Sequence, residues 1–294
     1  MNTPEQAPAP PRAGTPEKAR SPERAARPRT WSRFKYPESL IRYGVILSVL
    51  VFLAYSVEHL NVHLGRFLTM FGRLGDLLAN RYYPPDIPYV LERDYIGFVV
   101  ETIQMAYLGA LFGILLAMVL AWFAAFNVTP SKRFVYPLGR IAIMGCRSVH
   151  EMIWAIIFVT ILGFGMLPGV MALIMFSIGF AGKLFAEEIE AIDIGQVEAL
   201  RATGATNIQV MIYAVLPQVR VAWTGIAIYT WDVAFRAATV VGFFGAGGMG
   251  WYLRRNVQQL ENERVAAILL SIIVLVVISE IVSAWARNRV SKAV

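Results

Sequence analysis

The chain has 294 residues, of which 57% are hydrophobic and only 16% charged, and its mean hydropathy is +0.54. Soluble domains carry about 25% charged residues, so this composition excludes an ordinary soluble protein and indicates a membrane protein. Much of the net charge of +7 lies in the N-terminal tail beside the first apolar run, which fits the positive-inside rule better than nucleic-acid binding. The single cysteine, Cys146, excludes an internal disulfide.

The N-terminal tail, residues 1–38, is rich in Pro, Ala, Glu and Arg and has almost no large apolar residue before Trp31. Such a tail buries too little surface to offset the entropy lost on ordering, so we predict a disordered cytoplasmic segment. It is also too long and too polar to be the charged start of a cleaved signal peptide.

The next region, residues 39–95, combines a first span with an amphipathic segment. Residues 43–57 are apolar and cross the bilayer if their polar flanks snorkel. In residues 61–94, Leu and Phe first recur with a helical period, which predicts a helix lying at the periplasmic interface. Three prolines at positions 84, 85 and 88 then end that helix.

Two long uncharged stretches follow. Residues 102–126 contain no charged residue and predict a spanning helix. Residues 152–182 would be about 46 Å long as one helix, which is too long for one span. Glycines and a proline at positions 163–169 therefore divide this stretch into a helical hairpin, whose first arm starts near Val135 and carries Arg140.

The second arm of the hairpin covers residues 170–185, and the last two spans cover residues 219–244 and 265–285. The fold class is therefore all-α, with about six transmembrane helices. In a six-span topology the basic tail, the loop at Lys132 and the basic C-terminus share one side, which we assign to the cytoplasm.

A polar segment at residues 187–217 lies between two spans on that cytoplasmic side. It predicts a short helix that ends at Gly204 in the left-handed conformation, and a second helix that begins at Thr206 or Asn207. A membrane protein does not need such a segment to stay in the bilayer, so we interpret it as a docking site for a cytoplasmic partner. Its candidate coupling residues are Glu198, Ala199, Ala202, Gly204, Leu216 and Pro217.

This segment resembles the cytoplasmic signature of binding-protein-dependent ABC importer permeases. It departs from the usual pattern at Leu200, which replaces an Ala, and at Ala214, which replaces an Ile; neither change removes the helix or the turn. Further blocks resemble the permease subunits of phosphonate-type ABC importers, over roughly residues 95–287. These blocks are residues 147–154, 182–190, 197–205, 235–240 and 242–250.

The resemblance implies a type I ABC importer permease domain over residues 96–287 in a bacterial inner membrane. It implies a second permease copy or homologue, two cytoplasmic ATPase subunits that bind ATP and Mg, and a periplasmic substrate-binding protein. This chain would itself bind no cofactor, catalyse no reaction and bind no nucleic acid. The implied cargo is a phosphonate or a related phosphorus oxyanion such as phosphite or hypophosphite.

Charged residues inside the predicted spans are candidates for the translocation path, because a charge at mid-bilayer needs a partner or water. Asp232 and Arg236 are four residues apart on one helix and should pair, either as a neutralised structural pair or along the path. In a second cluster, we expect Arg147 to reach either His150 or Glu151, while these two lie on different faces. That cluster either attracts an anion or stabilises a helix break near the interface.

The glycine-rich stretch at residues 242–250 lacks the Lys-Ser/Thr of a phosphate-binding P-loop and follows a span, not a strand. We predict that its glycines let helices approach closely and let the chain bend at the outer mouth. They are Gly242, Gly245, Gly247, Gly248 and Gly250. The three histidines are too scattered to predict a metal site.

Three alternative functions remain open from the residues alone. A proton-coupled secondary transporter would use Asp232, Glu151 or His150 as a relay, but it would gain nothing from the polar segment at 187–217. A membrane-embedded enzyme would need a nucleophile, a metal or a pair of carboxylates, and no convincing constellation is found. An ABC importer for another small solute is the third alternative.

Overall fold

The computed structural model describes residues 38–60 and 64–292, and this part of the chain contains helices and no strand. The disorder predicted for the N-terminal tail lies outside the described residues, except at Glu38. The chain divides into two compact units, Met1–Leu68 and Thr69–Val294. In the first unit, helix α1 (Glu38–His59) exposes apolar side chains on all sides, as a helix surrounded by lipid would. It extends the predicted first span at both ends.

The predicted amphipathic helix is present as α2 (Leu64–Leu77), which is followed by a π-helical turn (Leu78–Tyr82). The short helix α3 (Ile87–Val90) follows Pro84 and Pro85 and contains Pro88 in its first turn, and the carboxylate of Asp86 caps it by accepting from the backbone N–H of Tyr89.

The second unit contains most of the candidate spans. Helix α4 (Arg93–Ala124) begins nine residues before the predicted span, because its first turns include Arg93, Asp94 and Glu101 and therefore lie outside the uncharged stretch. In the described residues, five helical stretches are long and apolar enough to cross a membrane, or six if one bent pair counts as a span. The five are Ser39–His59, Arg93–Ala124, Met166–Glu190, Asn207–Phe244 and Asn262–Val290.

The predicted hairpin is present, but its first arm is not one continuous helix. It consists of α5 (Val135–Ser148) and α6 (Glu151–Leu162), which meet at 90°. The bend arises because Val149 and His150 are extended. The hairpin turn lies where the glycines predicted it.

Helix α7 (Met166–Glu190) is the second arm and the most buried span. It packs closely on α4: a Cβ at Gly109 would lie 2.5 Å from the Cβ of Leu173, and one at Gly113 would lie 2.4 Å from the Cβ of Ser177. Gly109 and Gly113 thus form a small-residue seam of the kind that lets membrane helices touch.

The last part of the unit contains α10 (Leu216–Val241), α11 (Gly248–Gln258) and α12 (Asn262–Lys292). Helix α11 follows the glycine-rich stretch and carries its polar residues outside the candidate spans. Three apolar clusters in the described residues hold the unit together, one of them beside the polar segment. That cluster includes Ala121, Phe185, Ile189, Val197, Val210 and Trp223.

Candidate functional site

The polar segment forms a capped helix-turn-helix. Helix α8 (Ile194–Ala202) begins after Asp193, whose carboxylate accepts from the N–H of Gly195 at 2.9 Å. It ends at Gly204, whose φ of 83° is left-handed, as predicted. The N–H of Gly204 donates to the carbonyl of Arg201 at 2.9 Å and closes the turn.

The second helix begins with a capping box. The hydroxyl of Thr206 accepts from the N–H of Gln209, and the Gln209 side chain accepts from the N–H of Thr206 at 2.8 Å. Thr206 is therefore the cap, and Asn207 is the first residue of α9 (Asn207–Val210). A π-helical turn (Met211–Val215) joins α9 to α10, with Pro217 in the first turn of α10.

The segment is anchored on the transmembrane core. Val197 of α8 and Val210 of α9 are fully buried in the cluster that contains Phe185. The side chain of Gln218 donates to the carbonyl of Asp193 at 3.4 Å and accepts from its N–H at 3.0 Å. These contacts join the segment to the spans on both sides, so a force on the segment would be transmitted to them.

The opposite face of α8 is exposed and made of small side chains. Ala199 and Ala202 follow Val197 by two and five positions, which places them about 200° and 140° around the helix from it. Glu198 and Gly204 are also exposed, and Leu216 is 40% exposed at the start of α10. The outward face is therefore flat enough for close contact with another protein.

Glu190, at the end of α7, connects the neighbouring helices to the segment. Its carboxylate accepts from the Arg140 guanidinium at 2.6 Å and from the N–H of Phe126 at 2.9 Å. The Asn127 amide also donates to the carbonyl of Ile189 at 2.7 Å. From the sequence, Arg140 falls in the first arm of the hairpin and Glu190 at the end of block 182–190, but their pairing is not predicted because no local pattern indicates a partner fifty positions away.

Inside the spans, Asp232 and Arg236 form the predicted pair, with 2.8 Å between Oδ2 of Asp232 and a terminal nitrogen of Arg236. The two side chains differ in exposure: 6% for Asp232 and 47% for Arg236.

The second cluster corrects our prediction. His150 lies outside the helix as the cap of α6, where its Nδ1 is 3.3 Å from the N–H nitrogen of Met152 and 3.3 Å from Oε2 of Glu151. His150 and Glu151 therefore do meet, because the break at the end of α5 removes the helical geometry that we assumed. Arg147 is exposed and forms no ion pair with another described residue.

The glycine-rich stretch bends and packs as predicted. Gly245, Gly247 and Gly248 have positive φ, and a Cβ at Gly242 would lie 2.2 Å from the carbonyl oxygen of Gly247. A Cβ at Gly250 would be similarly close to backbone atoms of the preceding helix.

Two neighbouring residues of α4, which the sequence analysis did not single out, hold the start of α11. The carboxylate of Glu101 accepts from the N–H of Gly248 at 3.1 Å, and the hydroxyl of Thr102 accepts from the N–H of Met249 at 2.9 Å. A carboxylate is well suited to the positive end of a helix. No sequence signal connects positions so far apart.

Known proteins share this architecture. The structure of the MetNI methionine ABC transporter matches with a TM-score of 0.55 and 21% identity over 67% of this chain and 95% of that chain. A bacterial ABC transporter that imports the acidic polysaccharide alginate matches with a TM-score of 0.55 and 15% identity over 87% and 98%. The class is therefore a polytopic all-α membrane protein with the type I ABC importer permease fold, as predicted.

The family follows from the sequence comparisons. The profile of the binding-protein-dependent transport system inner membrane component matches residues 111–292. The phosphite transport system permease protein PtxC of Stutzerimonas stutzeri is 42% identical over 211 residues, which are 72% of this chain and 76% of that protein. This chain belongs to the family of binding-protein-dependent transport system inner membrane components.

A second relative is named for a different cargo. The phosphate-import permease protein PhnE of Mycolicibacterium smegmatis is 39% identical over 212 residues, which are 72% of this chain but 39% of that longer protein. Membership of a binding-protein-dependent family argues against both the secondary transporter and the membrane enzyme.

Proposed function

We propose that this chain is the permease subunit of an ABC importer for a phosphorus oxyanion. The observation that carries the proposal is the helix-turn-helix of α8 and α9, which is anchored by buried valines and presents Ala199 and Ala202 outward. ATP hydrolysis belongs to two separate cytoplasmic subunits that bind ATP and Mg, and their movement reaches the spans through this segment.

The remaining partners follow from the same proposal. A second permease copy or homologue completes the path, and a periplasmic binding protein delivers the cargo and supplies most of the specificity. The assembly lies in a bacterial inner membrane with the N-terminus in the cytoplasm, because the basic loops share that side. Transport proceeds by alternating access, in which the spans open the path to one side at a time.

The proposed class of cargo rests on the relatives, whose names include phosphite and phosphate. We infer a small tetrahedral phosphorus oxyanion, with phosphite first and phosphate, hypophosphite and phosphonates as the alternatives. The likeness to the methionine and alginate transporters concerns the fold alone.

The first experiment identifies the cargo and tests the partner subunits in one assay. The permease, its partner ATPase and its partner binding protein are reconstituted in liposomes, and ATP-dependent uptake of phosphite, phosphate, hypophosphite and methylphosphonate is measured. Uptake of one of these, competed by the others according to their affinity for the binding protein, supports the proposal. ATP-dependent uptake of a different solute, with none of the four transported, would refute the cargo assignment.

The second experiment tests the docking surface. The side chain of Ala199 is exposed, so Ala199→Trp should leave insertion and folding intact but prevent close contact with the ATPase. Ala199→Ser is the matched control because it changes the same position by one small atom. We expect the Trp variant to lose co-purification of the ATPase and the Ser variant to keep it. Normal co-purification by the Trp variant would show that the ATPase binds elsewhere.

A further inference from the structure

One side of α10 stays exposed although the helix is part of a candidate span. The exposed side chains recur along the helix and include polar ones in its second half. They are Val221, Thr224, Tyr229, Arg236 and Val240. The buried carboxylate of Asp232 lies in the middle of the same side, one turn before Arg236 and paired with it.

A lipid environment does not suit this side of the helix. An arginine in the bilayer costs about 2.5–3.5 kcal/mol even on insertion scales, and near a helix end it usually snorkels outward to water. The guanidinium of Arg236 is instead held by Asp232, which lies nine residues, or about 13 Å, before the helix ends at Val241. Its 47% exposure therefore indicates an aqueous path.

The guanidinium keeps donors for a ligand. Arginine has five N–H groups in a planar fork, and the hydrogen bond to Asp232 uses a terminal nitrogen only. The free edge matches the paired oxygens of a phosphoryl group. Because Asp232 neutralises most of the charge, an anion would bind weakly enough to leave again, as transport requires.

We propose that Arg236 is the anion-contacting residue of the translocation path and that Asp232 is its positioning residue. The ligand is the tetrahedral phosphorus oxyanion of the proposed function, on which this inference rests. The pair gives the permease its own selectivity for an oxyanion, in addition to the selectivity of the binding protein.

A second exposed cation lies deeper in the same unit. A Cβ at Gly179 of α7 would lie 2.7 Å from the backbone nitrogen of Arg147, while the next residue, Phe180, contacts Tyr229 of α10 with 5.6 Å between ring centroids. Arg147 is therefore near the depth of Tyr229, about 10 Å along α10 from Arg236.

Four variants separate an anion contact from a purely structural ion pair. They are Arg236→Gln, Arg236→Lys, Asp232→Asn and the double variant Asp232→Asn with Arg236→Gln. If the pair only stabilises the helices, both single neutralisations should impair uptake equally and the double variant should recover. If Arg236 binds the anion, loss of its charge should impair uptake far more than loss of the Asp232 charge, because an Asn side chain at position 232 can still accept the hydrogen bond that positions Arg236.

The test measures ATP-dependent phosphite uptake by the full reconstituted transporter, normalised to assembled complex. We expect kcat/KM for uptake to fall about 10- to 100-fold in Arg236→Gln and equally in the double variant, because a hydrogen bond to a charged group is lost. Arg236→Lys should fall less, and Asp232→Asn should stay within about threefold. Arg133→Gln, which removes an exposed charge between α4 and α5, is the control and should not change uptake.

Recovery in the double variant, or equal losses in the two single variants, would overturn the inference. If Arg236→Gln does not assemble, Arg236→Lys and Asp232→Asn decide: full uptake by the Lys variant with loss in the Asn variant would refute an anion contact. Binding-protein-stimulated ATP hydrolysis should persist in every assembled variant. A wild-type transporter that takes up none of the four oxyanions would refute the proposed function instead, which keeps the two failures distinct.

Discussion

The left-handed turn at Gly204 offers a direct test of the coupling segment. Its φ is 83°, and no described heavy atom lies within 4 Å of the place where a Cβ would stand. Gly204→Ala therefore adds no steric clash, and its whole effect comes from the backbone. An L-residue in the left-handed helical region costs about 1–2 kcal/mol, which corresponds to roughly a 5- to 30-fold change in an equilibrium constant.

If docking requires this turn, the apparent affinity for the ATPase should fall by up to that factor. Gly225→Ala is the matched control, because Gly225 lies within α10 without a positive φ, a Cβ there meets no described atom within 4 Å, and Ala favours a helix. Gly204→Asn should fall between wild type and Gly204→Ala, because Asn tolerates the left-handed region better.

In the assay, purified ATPase is titrated onto the permease in nanodiscs. The bound fraction of ATPase and the stimulated rate of ATP hydrolysis are measured at each concentration. We expect the affinity for the ATPase to decrease in the order wild type, Gly204→Asn, Gly204→Ala, with Gly225→Ala close to wild type. Equal affinity of Gly204→Ala and wild type would show that the docked segment does not keep the turn observed here.

Three further predictions concern stability and assembly. Thr102→Val keeps the shape of the side chain but leaves the buried N–H of Met249 without its acceptor. The free energy of unfolding of the purified permease should therefore fall by about 1–3 kcal/mol, and its melting temperature by several degrees. An unchanged melting temperature would contradict the helix cap. Gly113→Ala should lower the yield of folded permease in detergent because its Cβ would lie 2.4 Å from a side chain of α7. Gly97→Ala is the control and should match wild type, because a Cβ there meets no described atom within 4 Å. Equal yields of the two variants would argue against the close α4–α7 contact. Val197→Ala should remove about 2 kcal/mol of anchoring and reduce stimulated ATP hydrolysis without affecting insertion, and full stimulation would show that the anchor is dispensable.

Much of the coupling segment could be predicted from the sequence because its determinants are local. A helix ended by glycine and a second helix started by a Thr with Gln three positions later are patterns within a few residues, and both are present at Gly204 and Thr206. The pairing of Asp232 with Arg236 is local as well, since four residues make one helical turn.

The break between α5 and α6 could not be predicted in the same way. Residues 149–150 contain no Gly or Pro, so nothing in their types marks an end of the helix. The backbone of Arg147 lies against Gly179, and this tertiary contact accompanies the departure from helical geometry. The cluster of His150 and Glu151 was misjudged as a consequence, because helical spacing was applied across the break.

By itself the sequence determined the all-α class, the positions of the spans and the polar segment between two of them, because hydrophobic length and caps are read within one stretch of chain. Only the tertiary structure decided which face of each helix is covered. It showed that Glu101 and Thr102 hold α11, that Glu190 joins Arg140, and that Arg236 stays half exposed while Asp232 is buried. These relations depend on which distant helices pack together, and that is set by the shapes of whole helix surfaces.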